Sequence, residues 1–101
     1  MLAGILFPVL DILRLAIRDA VANKHFCDPQ SNGPRLVDYA CAIFTNSSDA
    51  EPKNQLLMLR VLCNAFQHGA GEQLMLDSSD LILAAVKVAL QSGGDKPLQV
   101  V

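Results

Sequence analysis

The chain has 101 residues, a formal net charge of −2, 51% hydrophobic residues and 18% charged ones. That is room for one small domain, and a mean hydropathy of +0.32 is high for such a chain. The charge balance excludes the strongly basic footprint of a nucleic-acid binder but leaves room for a locally basic groove. A chain this short buries a limited share of its surface, so its apolar excess points to self-association or to a piece of a longer structure.

In chain order, the opening "MLAGILFPVL" is apolar, yet it carries no basic leader and meets Asp11, Arg14 and Arg18 within two turns. It falls short of the roughly 20 apolar residues that span a bilayer and lacks the plan of a signal peptide. Neither membrane nor nucleic acid is expected as a partner, and the expected location is cytoplasmic and/or nuclear. Pro8 suits the first turn of a helix, where a missing N–H costs nothing. Asp11, Arg14 and Arg18 then form a polar stripe on an otherwise apolar helix.

A short helical turn is predicted around Val21 to Phe26, followed by a loop carrying the breakers Pro29, Asn32, Gly33 and Pro34. Pro34 opens the next helix, whose buried side is Leu36, Val37, Ala40, Cys41 and Phe44. After the polar "TNSSDAEP", Pro52 starts a long helix predicted to reach His68, with Gly69 as a left-handed stop. "GEQLMLD" makes a further short helix. Ser78 or Ser79 caps the last full one, with Asp80 near its positive end. Beyond "SGGDKP", the residues "PLQVV" read as the start of another helix, cut short near 96–101.

Long helices separated by short ones and polar loops, about 40 residues apart, suit either a helical-repeat solenoid or a small bundle. Cys27, Cys41 and Cys63 have neither disulfide-framework nor zinc spacing, so they read as buried free thiols. His25 and His68 have no second ligand at metal spacing. No phosphate loop, nucleophile elbow or carboxylate pair is present. No catalytic residue, metal or cofactor is therefore expected, and the chain is read as not an enzyme.

The long helix from Pro52 holds the most informative pattern. At 100° per residue, Lys53, Leu57, Arg60, Asn64, Gln67 and His68 share one face. Leu56, Leu59, Leu62, Cys63 and Phe66 cover much of the remainder. A helix apolar on nearly all other sides is packed on two or three of them. Its polar stripe is either a solvated face or the surface that meets a partner, and spacing alone leaves both open. Asp11 and Arg14, three residues apart, are placed to form a local ion pair.

Four segments occur together in an order and spacing that resemble PUL domains: "FPVLDILRLAI", the pair Phe26–Cys27, "NQLLMLRVLCNAF" and "GAGEQLML". PUL domains are C-terminal modules of phospholipase A2-activating protein and its fungal ubiquitin-fusion-degradation relatives, and some are joined to thioredoxin-like or deubiquitinase-like domains. The resemblance spans Leu6 to about Gln91. It implies an all-α, armadillo-like helical-repeat superhelix, of which residues 1–101 would form a single N-terminal portion of about two repeats.

The resemblance further implies a non-catalytic adaptor. Its basic concave groove would bind the acidic, aromatic-containing C-terminal tail of the AAA ATPase valosin-containing protein, in ubiquitin-dependent degradation. Carried onto this chain, the peptide-binding residues are Arg60 and Asn64, extended by Arg14, Lys53 and His68. The alternatives are a structural or oligomerising repeat segment, or a PUL segment of a ubiquitin-related protease or thioredoxin-like protein.

Overall fold

The computed structural model describes residues 3–45 and 52–92, and there it consists of six helices. They are α1 (Ala3–Ala16), α2 (Ala20–Phe26), α3 (Asn32–Thr45), α4 (Pro52–Ala65), α5 (Gly69–Asp77) and α6 (Ser79–Ser92). The expected polar connection before Pro52 and the apolar "PLQVV" lie outside the described residues. Among those described, no helix is long and apolar enough to cross a membrane.

The helices form two successive tiers of long, short and long elements. α4 lies against α1 and α6 against α3, with α2 and α5 side by side and α3 also touching α4. Each element has its counterpart about 48 residues on, longer than the 40-residue spacing expected from the sequence. That expectation measured the interval between any two long helices, whereas the repeating unit is three helices. Burial follows the longer period: Leu10 and Met58, Ile17 and Ala65, Asn23 and Gly71, and Cys27 and Met75 are buried pairs. Ile12 and Arg60, and Leu15 and Cys63, are exposed pairs.

α1 begins at Ala3, so Pro8 stands inside it instead of opening it. Leu6 and Leu10, on either side of Pro8, are both in the core, and their burial holds the helix together across the proline. Pro8 itself is exposed, where a carbonyl without its helical donor can be hydrated.

α1 and α4 end alike. At the end of α1, Arg18 N–H donates to Leu15 O and Asp19 N–H to Ala16 O. At the end of α4, Phe66 N–H donates to Cys63 O and Gln67 N–H to Asn64 O. These tighter three-residue bonds stop α4 at Ala65, short of the expected His68. Gly69 is not a left-handed stop, since no glycine among the described residues has a positive φ. It is instead the first residue of α5, preceded by an extended His68.

One buried side chain ties these ends together. Asn23, fully buried on α2, donates from Nδ2 to Ile17 O and Ala65 O, each at 3.0 Å. Its Oδ1 accepts from Gly71 N–H at 2.9 Å. A carbonyl at the end of α4 and one just beyond α1 are thus satisfied by the same amide, as burial demands. The approach needs glycine at 71, where a Cβ would stand 1.9 Å from Ala65 O and 2.8 Å from Asn23 Nδ2.

Between the tiers, the core runs from Leu6, Leu10 and Ile17 through Ile43 and Phe44 to Met58, Val61, Leu74 and Met75. α6 turns Ala85 and Ala89 inwards, small residues that let it approach α3 closely.

Candidate peptide-binding face on α1 and α4

α1 and α4 run parallel, because three contacts between them ascend both helices in the same order. Lys53 Nζ stands 5.4 Å from the centre of the Phe7 ring. Asn64 Nδ2 donates to Arg14 O at 2.9 Å, and His68 Nε2 to Arg18 O at 2.8 Å. A carbonyl can only accept, so His68 carries its proton on Nε2 in this contact. Asn64 and His68 thereby occupy carbonyls at the end of α1 that the helix leaves without internal partners.

The stripe read from the sequence therefore divides. Leu57, Asn64 and His68 turn towards α1: Leu57 is buried and the other two are partly so. Arg60, Cys63 and Gln67 face outwards, with Leu56 half-buried among them, while Lys53 is exposed with its ammonium over the Phe7 ring of α1. The outward row is thus rotated from the expected one, because α1 covers one flank of the polar sector. Cys63 and Phe66, expected among the apolar packing residues, are both exposed. Of the three free cysteines only Cys27 is buried, and Cys41 is intermediate. Burial pushes the Cys27 thiol up in pKa. Burial also raises that of Cys41, with a smaller push from the Asp38 carboxylate.

Arg14 is held by its neighbour one turn back, Nη2 donating to Asp11 Oδ1 at 2.7 Å and Nε at 3.1 Å. The expected ion pair is present and leaves Asp11 neutralised. Asp19 is engaged as well, its Oδ2 accepting from Ala22 N–H at the start of α2. Arg60 and Arg18 are exposed. The structure thus brings all five expected residues onto the α1–α4 pair. Arg60 points outwards, Lys53 reaches over Phe7, Asn64 and His68 clamp the two helices, and Arg14 is held in its ion pair with Asp11.

Charge is distributed unevenly. α1 and α4 carry Arg14, Lys53 and Arg60 against Asp11 alone, with Arg18 just beyond α1. α3, α5 and α6 carry Asp38, Glu72, Asp77 and Asp80 against Arg35 and Lys87. A net charge of −2 therefore conceals a basic ridge on the first pair. Among the described residues, no group of three His, Cys, Asp or Glu side chains could hold a metal ion.

Asn23 is the structural residue that the sequence reading missed. Its signal was present: Asn23 and Cys27 lie four residues apart on one face of a short helix, and both are buried.

The sequence pattern that defines the PUL domain matches residues 3–101. The chain belongs to the PUL domain family. It is 30% identical over 96 residues to the phospholipase A-2-activating protein of Xenopus laevis, covering 95% of this chain and 12% of that protein. It is 36% identical over 83 residues to the ubiquitin fusion degradation protein 3 homolog of Caenorhabditis elegans, covering 82% of this chain and 9% of that protein. The chain thus spans about an eighth or less of the length of these relatives. No solved structure matches it.

Proposed function

We propose that this PUL chain is a non-catalytic protein-binding module that takes part in ubiquitin-dependent degradation. Its ligand is the acidic C-terminal tail of the AAA ATPase valosin-containing protein, held on an armadillo-like stack of repeats. The observation that carries this reading is Arg60, exposed at the middle of the basic α1–α4 ridge with its guanidinium outside the helix clamps. A planar guanidinium suits a carboxylate better than a lysine does. Family membership and the name of the Caenorhabditis elegans relative supply the pathway.

Lys53 extends the basic surface, and Asn64 borders it from its clamp on Arg14 O. Arg14 and His68 border the same face. On this reading the protein works in the cytoplasm or nucleus. Titrating the 101-residue chain with a synthetic peptide of the ATPase tail tests the assignment. Arg60→Ala should weaken binding by about tenfold, the loss of one charge-assisted contact. Asn64→Ala should weaken it less. Unchanged affinity in both variants rejects the site.

A second reading, self-association, is favoured by one observation: Leu81, Leu83 and Leu90 are exposed on α6. A dimer on a sizing column, abolished by Leu83→Ser with Leu90→Ser, would support it.

A further inference from the structure

We infer that Asn32–Gly33 is a deamidation site guarded by the fold. It stays intact while the corner between α2 and α3 is closed. Opening of that corner converts it in part to isoaspartate, which prevents the corner from closing again.

Asn32 is followed by Gly33, and no other asparagine of the chain precedes a glycine. A following glycine leaves its backbone nitrogen free to attack the asparagine side chain, because no Cβ crowds the imide ring that forms. Packing requires that glycine. A Cβ at position 33 would stand 2.7 Å from Asp28 O and 3.0 Å from Cys27 O. The close approach that shapes the corner thus places a reactive pair in the chain.

The same corner holds the reaction off. Ring closure joins Gly33 N to Asn32 Cγ, so Gly33 must give up its proton and Asn32 must leave the helical backbone conformation. Gly33 is buried, and its N–H donates to Asp28 O at 2.7 Å. Asn32 is the first residue of α3. Its Nδ2 donates to His25 O at 3.0 Å and lies 3.3 Å from His25 Nε2. The Asp28 carboxylate fixes the turn, accepting from Gln30 N–H at 2.9 Å and from Ser31 Oγ at 3.2 Å.

Local opening removes these restraints. Gly33 N then gives its proton to base and bonds to Asn32 Cγ, and Nδ2 leaves as ammonia. Water cleaves the imide on either side. Cleavage between Cγ and nitrogen gives aspartate with the main chain unchanged. Cleavage at the Asn32 carbonyl gives isoaspartate, whose main chain runs through Cβ and Cγ and is one carbon longer. Aspartate loses the amide donor but puts an anion in the first turn of α3, where the helix dipole favours it. Isoaspartate displaces Gly33 from Asp28 O, the tightest contact of the corner.

Peptide mass spectrometry on the 101-residue chain, aged at pH 8 with and without guanidinium chloride, tests this. In denaturant Asn32 should deamidate ahead of every other asparagine. In buffer it should react roughly thirtyfold more slowly, the worth of two hydrogen bonds that must break first. Asp28→Ala removes the side-chain bonds of the turn and should speed the reaction about fivefold in buffer. In denaturant it should leave the rate unchanged. After refolding, chains with isoaspartate at position 32 should not regain the parent melting temperature, whereas Asn32→Asp should melt within a few degrees of it.

Equal rates in buffer and in denaturant, or an unchanged rate in Asp28→Ala, would reject the guard. Earlier deamidation at another asparagine in denaturant would reject the site. Isoaspartyl chains that melt like the parent would reject the consequence for the corner.

Discussion

The α1–α4 and α3–α6 pairs stack in the same way but are finished differently. In α3–α6, Ala40, Ala85 and Ala89 are small and buried beside Ile43 and Phe44, while Leu83 and Leu90 remain exposed on α6. In α1–α4, apolar packing is supplemented by side chains that reach across to backbone carbonyls, from Asn64 to Arg14 and from His68 to Arg18. Asn23 joins the ends of both helices to α5. The outward rows differ as well, basic and mixed on α1–α4 against leucine-rich with acidic flanks on α3–α6. Stacking needs only the buried rows, so the outward row of α1–α4 is free to serve a ligand.

The comparison can be broken most severely at Gly71. Gly71→Ala forces a Cβ into the Ala65 carbonyl, and should cost about 3 kcal/mol through overpacking against backbone. For a chain of this size that lowers the melting temperature on the order of 15 °C. Gly69→Ala, whose Cβ would meet nothing within 4 Å, should change stability by less than about 0.5 kcal/mol. Equal melting temperatures for the two variants would contradict the close approach of α4 and α5.

Next in size is Asn23→Ala, which strips buried partners from Ile17 O, Ala65 O and Gly71 N–H. A loss of about 2 kcal/mol in urea unfolding is expected. Asn64→Ala, at a partly buried clamp, should cost about 1 kcal/mol. If Asn64→Ala cost as much as Asn23→Ala, the hierarchy of clamps proposed for α1–α4 would be wrong.

The smallest effect concerns reactivity, not stability. Cys63 reports on the α1–α4 face and Cys41 on the α3–α6 pair. Towards a disulfide reagent at pH 8, Cys63 should react first, Cys41 more slowly and Cys27 last. Burial favours the protonated thiol at Cys27 and Cys41, so at a given pH each presents less of the reactive thiolate. Mass-spectrometric labelling order checks this directly.

Much of the architecture was legible in the sequence, since the breakers between apolar runs marked the helices. Pro52 does open α4, and Asp80 does sit in the first turn of α6. The misreadings share a cause: local signals were trusted where tertiary contacts decide. Pro8 looked like a helix start because the burial of Leu6 ahead of it could not be seen. Gly69 looked like a stop, although the glycine that the packing requires is Gly71. The polar sector of α4 was found, but its outward centre was displaced because only the position of α1 shows that Leu57 and His68 are covered. Cys63 was taken for a core residue because it lies in an apolar run of the helix, and only the packing shows that this position faces outwards. Asn23 escaped notice because its partners lie at the ends of three other segments, up to 48 residues away.

The central claim is that the outward face of α1–α4, and not that of α6, receives an acidic peptide. Titration of the isotope-labelled 101-residue chain with the ATPase tail peptide, followed by amide chemical shifts in NMR, tests it most directly. The account predicts the largest shifts at Ile12, Leu15, Arg60, Cys63 and Gln67, with Leu83 and Leu90 unmoved. Shifts concentrated on α6, with Arg60 and its neighbours unmoved, would contradict it.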